Sequence, residues 1–441
     1  MGQVILIITA FMEAAFSIYC LVVKSNHEEL RSWIRIAAFA AFVLFTLVSV
    51  ILWSFRWYLL ALLLSIWTVL GACTLVRNRP ERKEFSEKRT LIRAVTAILL
   101  VSIAVTPALI FPQYTPPKVT GKHEVATVNY TYTDPHRIET FSQTGENRTV
   151  NVEFWYPKDG GGAYPLIVFS HGAFGIKTSN TSTFIELASN GYVVCSIDHP
   201  YHSLFTIDAK GNPTMVDQSF LQEVINLNKG KYDEATGFKL QQQWMSLRIA
   251  DINFVLDTIL TKTKDADSGA VYRMIDPGKI GLMGHSLGGE SSAQLARERS
   301  DIDAVVNLDS DLHGEYLEYV DGRYMMNDQV YPVPLLNILT DTTERLINAI
   351  PDADRVVAVR HVVATAPHAY EVHFAGTDHM SVTDLPLVSP FFVSLIDASV
   401  PKAGGQEVAP LATIEQMNDL VLKFFNTYLK GEGSFVIAGT N

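Results

Sequence analysis

The sequence predicts an α/β protein in which a mostly parallel sheet is covered by helices on both faces and preceded by four membrane-spanning helices. Three observations predict it. Four apolar stretches, each near the ~20 residues that cross a bilayer as a helix, precede residue 112. Two alternating segments follow, and then short, continuously apolar runs separated by helix-length intervals. Finally, Gly284-His285-Ser286-Leu287-Gly288-Gly289 fits G-x-S-x-G, which turns a strand sharply into a helix and leaves a serine hydroxyl exposed.

The stretches are Val4 to Val23, Ile36 to Trp53, Trp57 to Val76 and Ala94 to Phe111. Lipid cannot satisfy backbone polar groups, so such runs read as helices, and a cleaved signal peptide would explain only the first. Arg77, Arg79, Arg82, Lys83, Lys88, Arg89 and Arg93 crowd the third connection, with Lys24, Arg31 and Arg35 in the first. Positive residues favour the cytoplasm, so the expectation is a multi-pass cell-membrane protein with everything after Phe111 extracytoplasmic. Trp53, Trp57 and Tyr58 suit the outer interface. Glu13, inside the first span without a cationic partner at matching depth, reads as a structural carboxyl facing a neighbouring helix.

Residues 1–112 carry 11 Lys+Arg and 6 Asp+Glu, and the remainder 24 and 40, so a net charge of +5 precedes one of −16. An acidic domain is a poor partner for nucleic acid, which needs clustered Lys and Arg. Cys20, Cys73 and Cys195 offer neither a disulfide framework nor zinc spacing and read as three buried small hydrophobes.

Pro112, Pro116, Pro117 and Gly121 make 112–122 a stiff linker between a membrane region, 1–111, and a domain over 123–441. Val125 to Thr133 and Val150 to Tyr156 alternate as half-buried antiparallel strands. Leu166 to Phe169, Tyr192 to Ile197, Ile280 to Met283, Ala304 to Leu308, Leu335 to Leu339 and Ala369 to Phe374 read as buried parallel strands, with Asp276-Pro277-Gly278 as a turn before the third. Met245, Ile249, Ile252, Leu256 and Ile259 repeat at helical spacing. A closing helix carries Met417, Leu420, Val421, Phe424 and Phe425, with Thr413 and Gln416 as a capping box and Gly431 past its end.

Serine is a weak nucleophile at neutral pH, so Ser286 needs an imidazole and an acid that orients it, in the chain order Ser, acid, His. Of His313, His361, His368, His373 and His379, the last stands in a turn, Gly376-Thr377-Asp378-His379, at a strand's C-terminal end, where such sheets collect reactive groups. His373 lies within the strand and reads as a packing residue. Asp309 and Asp341 end adjacent strands, and either position can supply the acid. Leu287, after the nucleophile, is one oxyanion donor, and Ala173 in the loop Ser170-His171-Gly172-Ala173-Phe174-Gly175 is the other.

Ser170-His171-Gly172, the Gly284 to Gly289 motif and His379 followed by Asp384 resemble the plasma-type platelet-activating-factor acetylhydrolases (group VII phospholipase A2), over residues 115 to 430. The resemblance implies the α/β-hydrolase fold, and it implies the acid at Leu308-Asp309 in preference to Asp341. Ser310-Asp311-Leu312 and Val382 replace family aromatics near the acyl pocket, so mechanism carries over better than substrate. Bacterial lipases, polyester-cleaving esterases and dienelactone hydrolases are similar too.

Two apolar-rich insertions, 201–240 and Glu315 to Tyr331, read as candidate lids. Asn129, Asn147 and Asn180 begin N-x-Ser/Thr sequons. The expected function is a membrane-anchored serine esterase of the lipase or phospholipase A2 kind, acting on short-acyl ester or lipid substrates with no metal or organic cofactor. A non-catalytic membrane sensor and an acyltransferase are the alternatives.

Overall fold

The computed structural model describes residues 1–77, 85–348, 357–397 and 408–437. Contacts divide the chain into two compact units, one built on 1–115 together with the helix Pro390–Asp397, the other on the remainder.

The first unit holds α1 (Gly2–Val23), α2 (Glu28–Leu47), α3 (Tyr58–Arg77) and α4 (Glu87–Ile110). Each is long and apolar enough to cross a membrane. Small residues Ala97, Ala104 and Ala108 on α4 let helices pack closely around Trp57, Leu60 and Val101. The outward faces are apolar, with Phe11 74%, Leu47 77% and Val76 85% exposed, a surface suited to lipid. α2 begins eight residues before the predicted Ile36, which takes Arg31 and Arg35 out of the connection and into the helix. Glu28 and Glu29 explain the extension, since carboxylates in a first turn oppose the helix dipole. Glu13 keeps a buried Oε2 with no hydrogen-bond partner among the described residues. Cys73 is exposed rather than buried, while Cys20 and Cys195 are buried. Arg79, Arg82 and Lys83 lie outside the described residues.

The second unit is built on an eight-stranded sheet. Its strands are β1 (Val125–Ile138), β2 (Asn147–Pro157), β3 (Tyr164–Ser170), β4 (Val193–Asp198), β5 (Ile275–His285), β6 (Ala304–Leu308), β7 (Leu335–Thr340) and β8 (Ala369–Phe374). Their spatial order is β1-β2-β4-β3-β5-β6-β7-β8. Only β1–β2 and β2–β4 are antiparallel, and β3 through β8 run parallel. This is the α/β-hydrolase arrangement. Asp276-Pro277-Gly278 is a bulge inside β5 rather than a turn before it: the register on β3 jumps from Asp276 to Ile280, and the Asp276 carboxylate accepts from the Gly278 N–H at 3.0 Å.

α7 (Glu234–Thr263) buries Ile252, Val255, Leu256 and Ile259 on one sheet face, each worth about 1.5–3 kcal/mol. On the other face α5 (Thr181–Ser189) brings Phe184 to within 4.9 Å of Phe169, and the closing helix Pro410–Phe425 buries Met417, Val421, Phe424 and Phe425. That helix starts at Pro410, whose fixed φ suits a first turn, so Thr413 is inside it and back-bonds to the Ala409 carbonyl instead of forming a capping box. Within 201–240 lie a ribbon, Phe205–Ile207 with Pro213–Met215, and the helix α6 (Gln218–Asn228). The Glu315 to Tyr331 insertion is a hairpin anchored on the core by buried Tyr316 and Tyr331. Asn180 is buried and donates to the Val382 carbonyl at 2.7 Å, so its sequon is not on the surface.

Candidate active site

β5 ends at His285, and Ser286 begins the helix Leu287–Glu298 with φ 53° and ψ −128°, a strained conformation that lifts its side chain out of the turn. Glycine is obligatory around it. A Cβ on Gly284 would lie 2.3 Å from the Gly288 carbonyl carbon, and one on Gly288 would lie 2.0 Å from the Ser170 carbonyl oxygen. The Ser286 N–H donates to the Leu308 carbonyl at 2.8 Å, and its own carbonyl receives the N–H groups of Gly289 and Glu290. Leu287 occupies the first helical position, where an N–H has no intrahelical acceptor.

The loop after β3 runs against this elbow: a Cβ on Gly172 would stand 3.2 Å from the Ser286 Cβ. Ala173 and Leu287 meet in one apolar cluster with Val216, Phe220, Val224, Trp244 and Met245.

His379 opens a short turn, His379–Val382, closed by a reciprocal Asp378–Ser381 capping box. Its Nδ1 lies 2.6 Å from Asp309 Oδ2. Asp309 has φ 60°, and its carboxylate also accepts from the Thr340 N–H at 2.6 Å and the Thr340 hydroxyl at 2.8 Å. Burial alone would raise its pKa, but the His379 hydrogen bond and charge and the Thr340 donors outweigh burial and hold it below the usual range. His285 packs its ring 4.6 Å from that of His379 and its Nε2 donates to the His379 carbonyl at 3.0 Å. Burial, then the neighbouring His379, pushes His285 down to about 3, so it stays neutral. The imidazole of His379 thus leans on the residue preceding Ser286.

Asp341 goes elsewhere: it binds His373 Nε2 at 2.7 Å and accepts from the Gly376 N–H at 3.0 Å. His373 is consequently an exposed residue hydrogen-bonded to Asp341 and not a packing one. Asp384 accepts from the Ser182 N–H at 2.7 Å and from the Ser182 hydroxyl, tying the turn after His379 to the start of α5. Burial raises its carboxyl to about 6. Ser310, Leu312 and Val382 are buried and Asp311 is half-buried: Ser310 donates to Asn307 at 2.6 Å, and Asp311 receives the Tyr316 hydroxyl at 2.9 Å.

Beneath the loop after β3 lies a network that motif spacing did not reveal. Ser170 donates to His199 Nε2 at 2.9 Å, and His199 Nδ1 donates to Asp251 at 3.0 Å. Arg148 grips the same carboxylate at 2.7 Å through two nitrogens. Ser170, His199 and Asp251 form a hydrogen-bonded chain in which all three residues are buried, whereas Ser286 is partly exposed. Only Ser286 is open to a substrate. From α7, Arg248 donates to the carbonyls of His171 and of Gly172, the latter at 3.2 Å, so a buried guanidinium supports the loop from behind. One signal was available: Arg248 and Asp251 interrupt the apolar stripe of α7 between Met245 and Ile252.

A family profile described as "Platelet-activating factor acetylhydrolase, isoform II" matches residues 140–436. The platelet-activating factor acetylhydrolase of Gallus gallus is 23% identical over 309 residues, 64% of this chain and 69% of that protein. The Bos taurus protein of that name is 24% identical over 64% of each chain, and cutinase est2 of Thermobifida alba is 27% identical over 38% of this chain and 42% of its own. A solved ferulic acid esterase from Streptomyces cinnamoneus superposes with a TM-score of 0.54 at 18% identity, covering 74% of this chain and 95% of its own. With two thirds of its length under that profile and an esterase-type sheet around the Ser286 elbow, the chain belongs to the platelet-activating factor acetylhydrolase isoform II family and is a carboxylic-ester hydrolase.

Proposed function

We propose that the protein is a membrane-anchored serine hydrolase that cleaves short-acyl carboxylic esters of lipids through an acyl-enzyme. The observation that carries this reading is the 2.6 Å pair between His379 and the buried Asp309 beside the partly exposed Ser286 elbow. With Nδ1–H committed to Asp309, His379 Nε2 is left to take the Ser286 proton as Oγ attacks the acyl carbonyl. The oxyanion that forms is met by the N–H groups of Ala173 and Leu287. Collapse expels the alcohol, which takes the proton from His379. Water, deprotonated by the same imidazole, then attacks the acyl-enzyme and releases the acid and the free serine.

The acyl group would enter against the cluster that joins Ala173 and Leu287 to Phe220 and Val224 of α6, which supports 201–240 as a lid over the site. Four helices of spanning length support the anchor, and the Lys and Arg of the first and third connections support an extracytoplasmic catalytic domain. The test is a fluorophosphonate probe and p-nitrophenyl esters of graded length on the purified protein and on Ser286→Ala. Labelling and cleavage in the parent alone, greatest for short acyl chains, are expected. Equal behaviour of the two proteins removes Ser286 from the mechanism.

A further inference from the structure

The first unit carries charge that esterase chemistry does not use. α2, α3 and α4 enclose a cleft of about 350 Å³ whose walls bear Arg31, Arg35 and Arg93. Arg31 is 8% exposed, with its guanidinium 4.8 Å from the Phe16 ring, and Arg35 lies 4.8 Å from that of Trp67. The Nε atoms of both are buried with no hydrogen-bond partner among the described residues. Arg93 sits 3.5 Å from Glu28, so the lining of the cleft sets three cations against one carboxylate. A buried guanidinium nitrogen with no acceptor is unfavourable among apolar helices unless an anion joins it. Ionisable groups in such positions mark function more often than packing.

We infer that the cleft binds a phosphate group, that of an anionic phospholipid, between α2, α3 and α4. The guanidinium fork matches phosphate oxygens two at a time, and the volume falls in the range of small-ligand sites. The rim argues for the lipid as the source. Leu70, Ile92 and Leu100 line the cleft and are also 55%, 53% and 41% exposed, an apolar track on which acyl chains can lie once the headgroup is seated. The inference rests on the first unit being membrane-embedded, and is independent of ester cleavage.

The test uses the full-length protein in phosphatidylcholine nanodiscs with and without dioleoylphosphatidylglycerol, native mass spectrometry of the lipids it retains, and titration with inorganic phosphate in detergent. Phosphatidylglycerol is expected to be retained over phosphatidylcholine and to raise the thermal midpoint, with Arg31→Gln or Arg35→Gln weakening retention about tenfold. Arg77→Gln, on a residue outside the cleft, is expected to behave as the parent. Binding of inorganic phosphate without lipid preference, lost in the same variants, supports the phosphate chemistry and makes free phosphate its source. Incorporation into discs with no preference for the anionic lipid and no phosphate binding overturns the site alone, and failure to enter any disc overturns the membrane reading with it. If the glutamine variants do not assemble, Arg31→Lys keeps the charge and loses the fork; retention equal to the parent's there, like the parent's own indifference to lipid class, counts against the inference.

Discussion

Asp309 is clamped by Thr340 through a backbone and a hydroxyl donor before any substrate arrives, so its orientation toward His379 does not depend on binding. Asp309→Asn keeps the shape and removes the charge that selects the Nδ1–H tautomer. Turnover is expected to fall by about 10⁴ with KM little changed. Asp341→Asn weakens the contacts with His373 and the Gly376 N–H and is expected to leave turnover near the parent's, so a single comparison of kcat for the two variants discriminates between the acids. Arg248 poses a finer question, because it meets the carbonyls behind the oxyanion loop and not the reacting atoms. Arg248→Met fills similar space but orphans two acceptors. Expected is a loss of roughly 10- to 100-fold in kcat at similar KM, with partial recovery in Arg248→Lys. A folded Arg248→Met enzyme of parental kcat would show that the loop holds its shape without the guanidinium.

Elements whose local chemistry is decided by neighbours in sequence were legible, and those decided by distant partners were not. The buried runs of β3 to β7 announced themselves because a strand covered on both faces has no polar side to show, whereas β8, at the sheet edge, buries only Phe374. The elbow was legible for a related reason: Gly284, Gly288 and Gly289 mark backbone packed against backbone. Gly288→Ala places a methyl into the Ser170 carbonyl at the end of β3 and is expected to yield no folded protein, whereas Gly161→Ala, with nothing within 4 Å, is expected to express as the parent; monodisperse yield on size exclusion in detergent checks both. The start of α2, the bulge at Asp276 and the burial of Asn180 were not legible. The last two depend on what another segment supplies, namely β3 and the carbonyl of Val382, while the first was missed because Glu28 and Glu29 lie outside the apolar run that marks the span. α6 is intermediate, since its capping Asp217 is local but its purpose lies in the cluster it completes. Phe220, stacked 3.8 Å from His202, holds it there. Phe220→Ala is expected to raise KM for longer p-nitrophenyl esters more than for the acetate, measured as a chain-length series.

Across the whole molecule, the acidic charge balance of the second unit suggests a protein that tolerates acid poorly only once the interior is known, because surface carboxylates are screened and contribute little. The interior contribution comes from histidines. Burial holds His171 and His202 well below the ordinary imidazole value, and it brings His199 to about 4 and His285 to about 3, with Arg248 adding to the first three and His379 to the last. In the unfolded chain these groups bind a proton near pH 6.5, so on acidification it is the unfolded state that gains protons. Their stabilisation is therefore present above about pH 6.5 and lost as pH falls toward 4; for His199 alone, the drop to about 4 corresponds to about 3 kcal/mol. Asp384 works in the opposite sense, since a carboxyl raised to about 6 favours the folded state as it takes up its proton, and burial raises Asp198, Asp311, Glu153 and Glu371 in the same direction, whereas Asp251 and Asp309, held low by their partners, side with the histidines. Urea midpoints taken from pH 8 to pH 4.5 are expected to decline steeply below pH 6.5. His202 has a buried Nδ1 with no partner among the described residues and a ring stacked on Phe220, so His202→Phe removes one proton site while keeping the stack. That variant is expected to lose less stability than the parent over the same interval. Parallel curves for the two proteins would mean that the acid sensitivity arises outside this buried network.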